Sequence, residues 1–301
     1  MNQRWFHRRG DLARPGWQSV VDAETPGWAH TGIRIAEVST GDALDLPTGV
    51  ESIVVPLAGS FTVAHTRDGQ TTETHLAGRT SVFAGPTDVL YVSAAETARL
   101  SGTGRVAVAT SPTDVDKPTV HLSADGIPVE LRGAGRSSRQ VHNFGTPDTL
   151  DAARLIVCEV ITPAENWSSY PPHKHDEHHP GHESRLEEIY YFETAPVRGA
   201  AADAAPDGAF GMFSTYSSPA GEIDINAMVR TGDIALVPYG YHGPAVAAPG
   251  YDLYYLNVMA GPDPERAWLI SDDPAHAWVR DTWTGQAFDD RLPYTDDKKG
   301  S

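Results

Sequence analysis

No long stretch of this chain carries a helical period. Instead, short β-branched and aromatic segments recur along its 301 residues, each closed by Gly, Pro, Asp or Thr. The first half contains GIRIAEVS, ESIVVPLAG, GSFTVAHT, TSVFAGP, VLYVSA and RVAVATS. The second contains RLIVCEVIT, LEEIYYFET, GAFGMFSTY, AMVRTGD, IALVPYG and YDLYYLNVMAG. Branched and aromatic side chains suit a pleated, half-buried surface, and turn residues at this spacing predict an all-β sandwich or barrel. A short helix is expected only in the tail, DPERAWLISDDPAHAWVRDTW, and the polar end YTDDKKGS is expected to fray.

A faint repeat points to duplication. Glu51 opens ESIVVPLAG and Glu188 opens EIYYF; each is followed by a Gly-led segment ending in Pro, GRTSVFAGP and GDIALVP. The length suffices for two ordinary domains, each with its own core, and two related β-barrels in tandem fit the pattern. The Gly/Pro/Asp-rich segment 143–150 marks the expected boundary. Residues 1–148 would form a first barrel, 149–275 a second and 276–301 a tail.

Forty acidic against 23 basic residues give a net charge of −17. Phosphate backbones and anionic membranes are held by clustered Lys and Arg, so neither is expected as a partner. Cys158 is the single cysteine, which rules out an intrachain disulfide, a zinc finger and an iron–sulfur cluster. The basic start lacks an apolar core of the secretory kind, and no segment approaches the ~18 apolar residues of a membrane helix. A soluble, cytoplasmic protein is expected.

Five of the 13 histidines fall within SSYPPHKHDEHHPGHESRLEEIYYF, residues 168–192. On a strand, residues i and i+2 share a face, so His173 and His175 project to one side and Lys174 to the other. Glu188 and Tyr190 share a face of the next strand; Glu187, on the opposite face, is the rival carboxylate, and Glu183 the third. His242 follows the turn in VPYGYH. His173, His175, Glu188 and His242 together offer three nitrogens and a carboxylate, a set suited to Zn²⁺, Mn²⁺ or Fe²⁺ with positions left open. His178, His179 and His182 surround Pro180-Gly181, a turn signal, and read as a solvated loop. The first half has Glu51 but no histidine in GDALDLPTGV or SVFAGPTDVLYVS, so one metal ion per chain is expected.

H-x-H, a later Glu opening a strand, then G-x5-P-x-G and a His resembles the two-part signature of the cupins. The runs NWSSYPPHKHDE (166–177), LEEIYYF (186–192), VPYGYH (237–242) and AAPGYDLYYLNVMAGP (247–262), with SVFAGPTDVLYVS (81–93), are similar to the 5-deoxy-glucuronate isomerase family of inositol catabolism. Two features depart from the usual patterns: only Tyr241 separates Gly240 from His242, and HHPGHES is richer in histidine than the family's acidic linker. The resemblance implies two tandem cupin barrels, each a double-stranded β-helix or jelly roll, with the ligands in the second. It implies conversion of 5-deoxy-D-glucuronate, an anionic sugar acid, to 2-deoxy-5-keto-D-gluconate. A divalent ion, Zn or Mn with Fe as the alternative, would stabilise the enediolate. A homo-oligomer, dimer or larger, is expected.

Glu188 is the candidate for both ligand and base, and Tyr190 for acid or hydrogen-bond donor. Tyr170, Lys174, Tyr241 and Tyr255 are the candidate substrate-binding residues, although alternation points Lys174 away from the metal and lets only one of Tyr254 and Tyr255 face the cavity. Arg185 and Arg230 are possible carboxylate clamps, with solvent exposure the blander reading of each. Three other readings compete: a 4-deoxy-5-ketouronate isomerase, an Fe²⁺ cupin oxygenase and a non-catalytic sugar-binding cupin.

Overall fold

A computed structural model describes residues 4–200 and 205–295; the end expected to fray lies outside these from Asp296 onward. The described residues form three sheets of eight, seven and six strands, joined by turns and short 3-10 segments. The longest of those segments, Ala277–Trp283, falls in the tail where a helix is expected. No helix among the described residues is long and apolar enough to cross a membrane.

The eight-stranded sheet is built from the first half. ESIVVPLAG and GSFTVAHT, read as two strands, are one strand of 18 residues, Val50–Arg67, paired along its length with Thr97–Pro112. TSVFAGP is not a strand. It holds a 3-10 turn, Val82–Ala84, capped where the Ser81 hydroxyl accepts from Phe83 N at 3.2 Å. A Ser that can bond its own downstream backbone competes with the ladder, and here it wins.

Alternation along these strands sorts the side chains into two cores. Val54, Val63, Leu100, Val106 and Val108 face one way and fill the first half's interior with aliphatic groups. Ile53, Val55, Ala107 and Ala109 face the other way and join the core shared with the second half. Each fully buried Val or Ile contributes about 1.5–3 kcal/mol.

In the second half, the seven-stranded sheet runs Phe6–His7, Ile234–Val237, Glu187–Pro196, Tyr251–Ala260, Ile156–Thr162, Arg139–Gly145, Val129–Arg132. The six-stranded sheet includes Gly221–Val229, Gly211–Ser218, Tyr241–Ala247 and the short His173–Lys174. Phe213 bridges the two sheets, its ring 4.7 Å from Tyr190 and 5.3 Å from Phe192. The expected boundary at 148 falls between Arg139–Gly145 and Ile156–Thr162, neighbouring strands of one sheet. Strand pairing therefore assigns residues 129–145, and Phe6–His7, to the second half's sheet.

Buried ion pairs tie the halves together. Arg79 makes a two-pronged pair with Glu159 at 2.7 and 2.6 Å, and Glu159 also receives the Tyr254 hydroxyl at 2.7 Å and pairs with His142 Nδ1 at 2.5 Å. Arg105 holds Glu193 in the same manner at 2.7 and 2.6 Å.

Candidate metal centre

Glu188 lies near the start of Glu187–Pro196, between Ile234–Val237 and Tyr251–Ala260, so both edges of its strand are paired. His175 Nε2 stands 3.0 Å and His242 Nε2 3.1 Å from the same oxygen, Glu188 Oε2. His173 pairs across strands with His242, and their rings are 4.6 Å apart. The four residues called ligands from spacing thus converge, with His175, Glu188 and His242 the tightest three. All four are buried.

Their orientation is fixed from behind. His173 Nδ1 lies 3.1 Å from Pro171 O, His175 Nδ1 3.1 Å from Leu186 O and His242 Nδ1 3.2 Å from Gly240 O. A carbonyl only accepts, so each Nδ1 carries a proton and Nε2 is the atom each ring turns inward, a lone-pair donor to a cation when the ring is neutral. His242 Nε2 is buried without a partner in hydrogen-bond geometry. A buried nitrogen left so is costly in a purely structural cluster and is the expected state of a metal ligand. The donor set and this orphaned nitrogen fit a divalent cation.

The electrostatics differ across the cluster. Burial and the charge of His242 push His173 well below the usual imidazole value. Burial opposes a charge on His175, yet the Glu188 carboxylate raises it. Burial alone would raise Glu188, but its pairing with His175 and His242 brings it down to about 2.

The turn that presents His242 is held by the segment before the histidine-rich loop. Lys174 is buried, and its ammonium reaches Asp176, Glu177 and Glu183, each at 2.8 Å. Asp176 in turn accepts from Gly240 N at 2.8 Å. Gly240 has φ +96°, and a Cβ there would meet Ile223 Cγ2 at 2.4 Å, so glycine is required. Alternation therefore turns Lys174, expected to bind substrate, away from the cavity and into a nest of carboxylates. Asp176, Glu177 and Glu183 form a second acidic group with metal-like spacing, already satisfied by that ammonium. His178, His179 and His182 are exposed, as a solvated loop requires.

A cavity of about 460 Å³ opens beside the cluster, reached by His173, Glu188, Tyr190, Tyr255 and Ser169. The Ser169 hydroxyl stands 3.0 Å from Tyr255 Oη and 3.4 Å from Tyr190 Oη. Burial, with the Glu188 charge, holds Tyr190 well above the usual phenol value, and burial raises Tyr255 as well. Tyr254, on the opposite face, bonds Glu159. Tyr170 packs on Trp167 and Tyr241 stacks on Tyr216 at 5.3 Å; neither lines this cavity. Arg185 and Arg230 are exposed and bond Asp263 and the Asp207 carbonyl.

Sequence reasoning missed the rest of the wall. Arg132, Arg139 and Glu130 come from strands not recognised as such, and Arg280 and Trp283 from the tail. Two further wall residues, Asn257 and Trp268, carry buried N–H donors, Nδ2 and Nε1, with no partner. The alternation of Asn257 with Tyr255 was the one available signal.

Fold and cluster define the class, a two-barrel cupin with a candidate metal centre in one barrel. The chain belongs to the KduI/IolB family, whose model matches residues 6–279. It is 37% identical over 270 residues to the 5-deoxy-glucuronate isomerase of Geobacillus thermodenitrificans, covering 87% of this chain and 90% of that one. The Bacillus velezensis protein of the same name is 38% identical over 256 residues, covering 83% and 88%. The crystal structure of an IolB-like protein from Salmonella typhimurium superposes with a TM-score of 0.80 at 30% identity, covering 91% and 98%. An oxalate decarboxylase of Bacillus subtilis shares the fold alone, with a TM-score of 0.60 at 9% identity over 90% and 80% of the two chains.

Proposed function

We propose that this protein is an aldose–ketose isomerase that converts 5-deoxy-D-glucuronate to 2-deoxy-5-keto-D-gluconate, using one divalent ion held by His173, His175, Glu188 and His242. The observation that carries the reading is the convergence of three inward-facing imidazoles on Glu188, beside a cavity that also presents two phenols. The names of the relatives support the substrate.

Isomerisation removes a proton beside a carbonyl and returns it one carbon over. A divalent ion of the Zn²⁺, Mn²⁺ or Fe²⁺ kind supplies Lewis-acid stabilisation of the negative charge that develops on oxygen. Tyr190 Oη and Tyr255 Oη, linked through Ser169, are phenols that burial keeps protonated, and they act as donors to that oxygen. Glu188 Oε1 makes no hydrogen bond among the described residues, so it is an available proton acceptor. A carboxyl held at about 2 is a weak base, which favours the ligand role of Glu188 over the base role.

The test is turnover by metal-replete protein, followed by the NMR signal of the aldehyde proton, without oxygen or nicotinamide. Loss of that signal with growth of the keto acid is expected. Metal-replete, folded protein that leaves the aldehyde intact overturns the reading.

A further inference from the structure

One part of the cavity wall carries positive charge that the protein itself does not balance. Arg132 and Arg139 stand directly opposite each other across their antiparallel strand pair, a placement in which like charges repel. Arg280 reaches the same cavity from the tail. Arg132 is matched by Glu130 at 2.8 Å, and Arg280 by Asp272 at 2.5 and 2.7 Å. Arg139 pairs with no carboxylate among the described residues; its hydrogen bond runs from Nη1 to Ser137 O at 3.0 Å.

Arg139 as a whole is only 8% exposed. Burial without a counter-charge is unfavourable, and a structure that tolerates it implies an anion in the working state. Burial, with Arg132 and Arg280 nearby, brings Arg139 down to about 10, still a cation at neutral pH. Its seat is built for it. Gly133 has φ +78°, and a Cβ there would meet Arg139 Nη1 at 2.8 Å and Ser137 O at 2.0 Å. The Trp283 ring lies 5.7 Å from the guanidinium carbon.

We propose that Arg139 is the anchor for the carboxylate of the substrate, in the cavity where His173 and Glu188 meet its reacting end. The identity of the acid rests on the isomerase reading; the anchor does not. An open-chain sugar acid carries its aldehyde and carboxylate at opposite ends, so a site handling one end gains orientation from a charged grip on the other. The unpartnered donors of Asn257 and Trp268 complement the hydroxyls between.

Calorimetric binding of D-gluconate and D-glucitol, which differ in carboxylate against alcohol, tests the anchor on metal-replete protein. The wild type is expected to prefer the acid roughly 10- to 100-fold, the gain of a charge-assisted pair. Arg139→Met should abolish that preference, Arg139→Lys restore part of it, and the exposed control Arg136→Met keep it. No preference in the wild type, or an undiminished one in Arg139→Met, overturns the anchor. So does a fall in bound metal or melting temperature shared by Arg139→Met and Arg139→Lys, since that marks a structural role. Turnover of 5-deoxyglucuronate on the same samples separates the two claims: wild type that prefers the acid yet converts none sinks the isomerase reading and leaves the anchor standing.

Discussion

Glu51 and Glu187 do the same job in opposite halves. Glu51 accepts the backbone N–H groups of Ala153, Arg154 and Leu155 at 2.7, 2.6 and 2.7 Å. Glu187 accepts those of Ala29, His30 and Thr31 at 3.3, 2.6 and 2.6 Å. Each half thus extends a buried carboxylate into the backbone of the other. The repeat aligns ESIVV with EEIYY, so Ser52 occupies the place of Glu188.

Glu187→Gln replaces a charged acceptor by a neutral one facing three donors. Its unfolding free energy should fall by about 3 kcal/mol, read from urea denaturation. Bound metal per folded molecule should not change. A stoichiometric loss of metal would make Glu187 a ligand and refute the present assignment.

Among the histidines, His175→Ala should abolish metal binding, because it removes an inward Nε2 from the tightest trio. His179→Ala should leave it intact, since that side chain is exposed in the loop. Metal analysis of both purified variants decides the matter; retention of the ion by His175→Ala would dissolve the proposed centre.

Glu159 links stability to acid. Burial alone would raise its carboxyl, but Arg79 and His142 hold it at about 2, below its unfolded value near 4.5. A depressed folded value means the stabilisation is complete above about pH 4.5 and is lost as pH falls toward 2. The share from this group is on the order of 3 kcal/mol. Glu159→Gln should be less stable than wild type at pH 7, by about 3–5 kcal/mol for the stranded Arg79, and should show a shallower decline through the acid window. Parallel acid slopes in denaturation at several pH values would remove Glu159 from the account.

Lys174→Met strands three carboxylates and loosens the Asp176 contact to the turn before His242. Weaker metal binding and faster amide exchange at Asp176 and Glu177 are expected, with KM unchanged once the site is saturated with metal. A variant with normal metal affinity and a raised KM would instead make Lys174 a substrate contact.

The candidate metal cluster was largely legible because two-residue alternation and turn chemistry are local. They place His173, His175 and Glu188 on inward faces and separate Glu187 and Lys174 from them. The repeat was seen one residue out of step, pairing Glu51 with Glu188, and on a strand a slip of one reverses the face. The shared fold class was equally visible, while the boundary was not, because residues 129–145 hydrogen-bond forward to Ile156–Thr162, whose own partner is the distant strand Tyr251–Ala260. The arginine wall was hidden for the same reason. LRGAGRSSRQ has no strand-like composition, and only tertiary pairing makes strands of its ends.

The strand Phe6–His7 has a later consequence. Its only strand partner among the described residues is Ile234–Val237, and Glu51 waits for residues 153–155. As the polypeptide emerges from the ribosome, the first half is therefore complete in sequence while still lacking its closing contacts. Domains made in order can each finish before the next appears, but here contacts of the first half are made with residues that come later. Synthesis must run past residue 237 before Phe6–His7 finds its strand partner, so that edge closes only after most of the second half has been made.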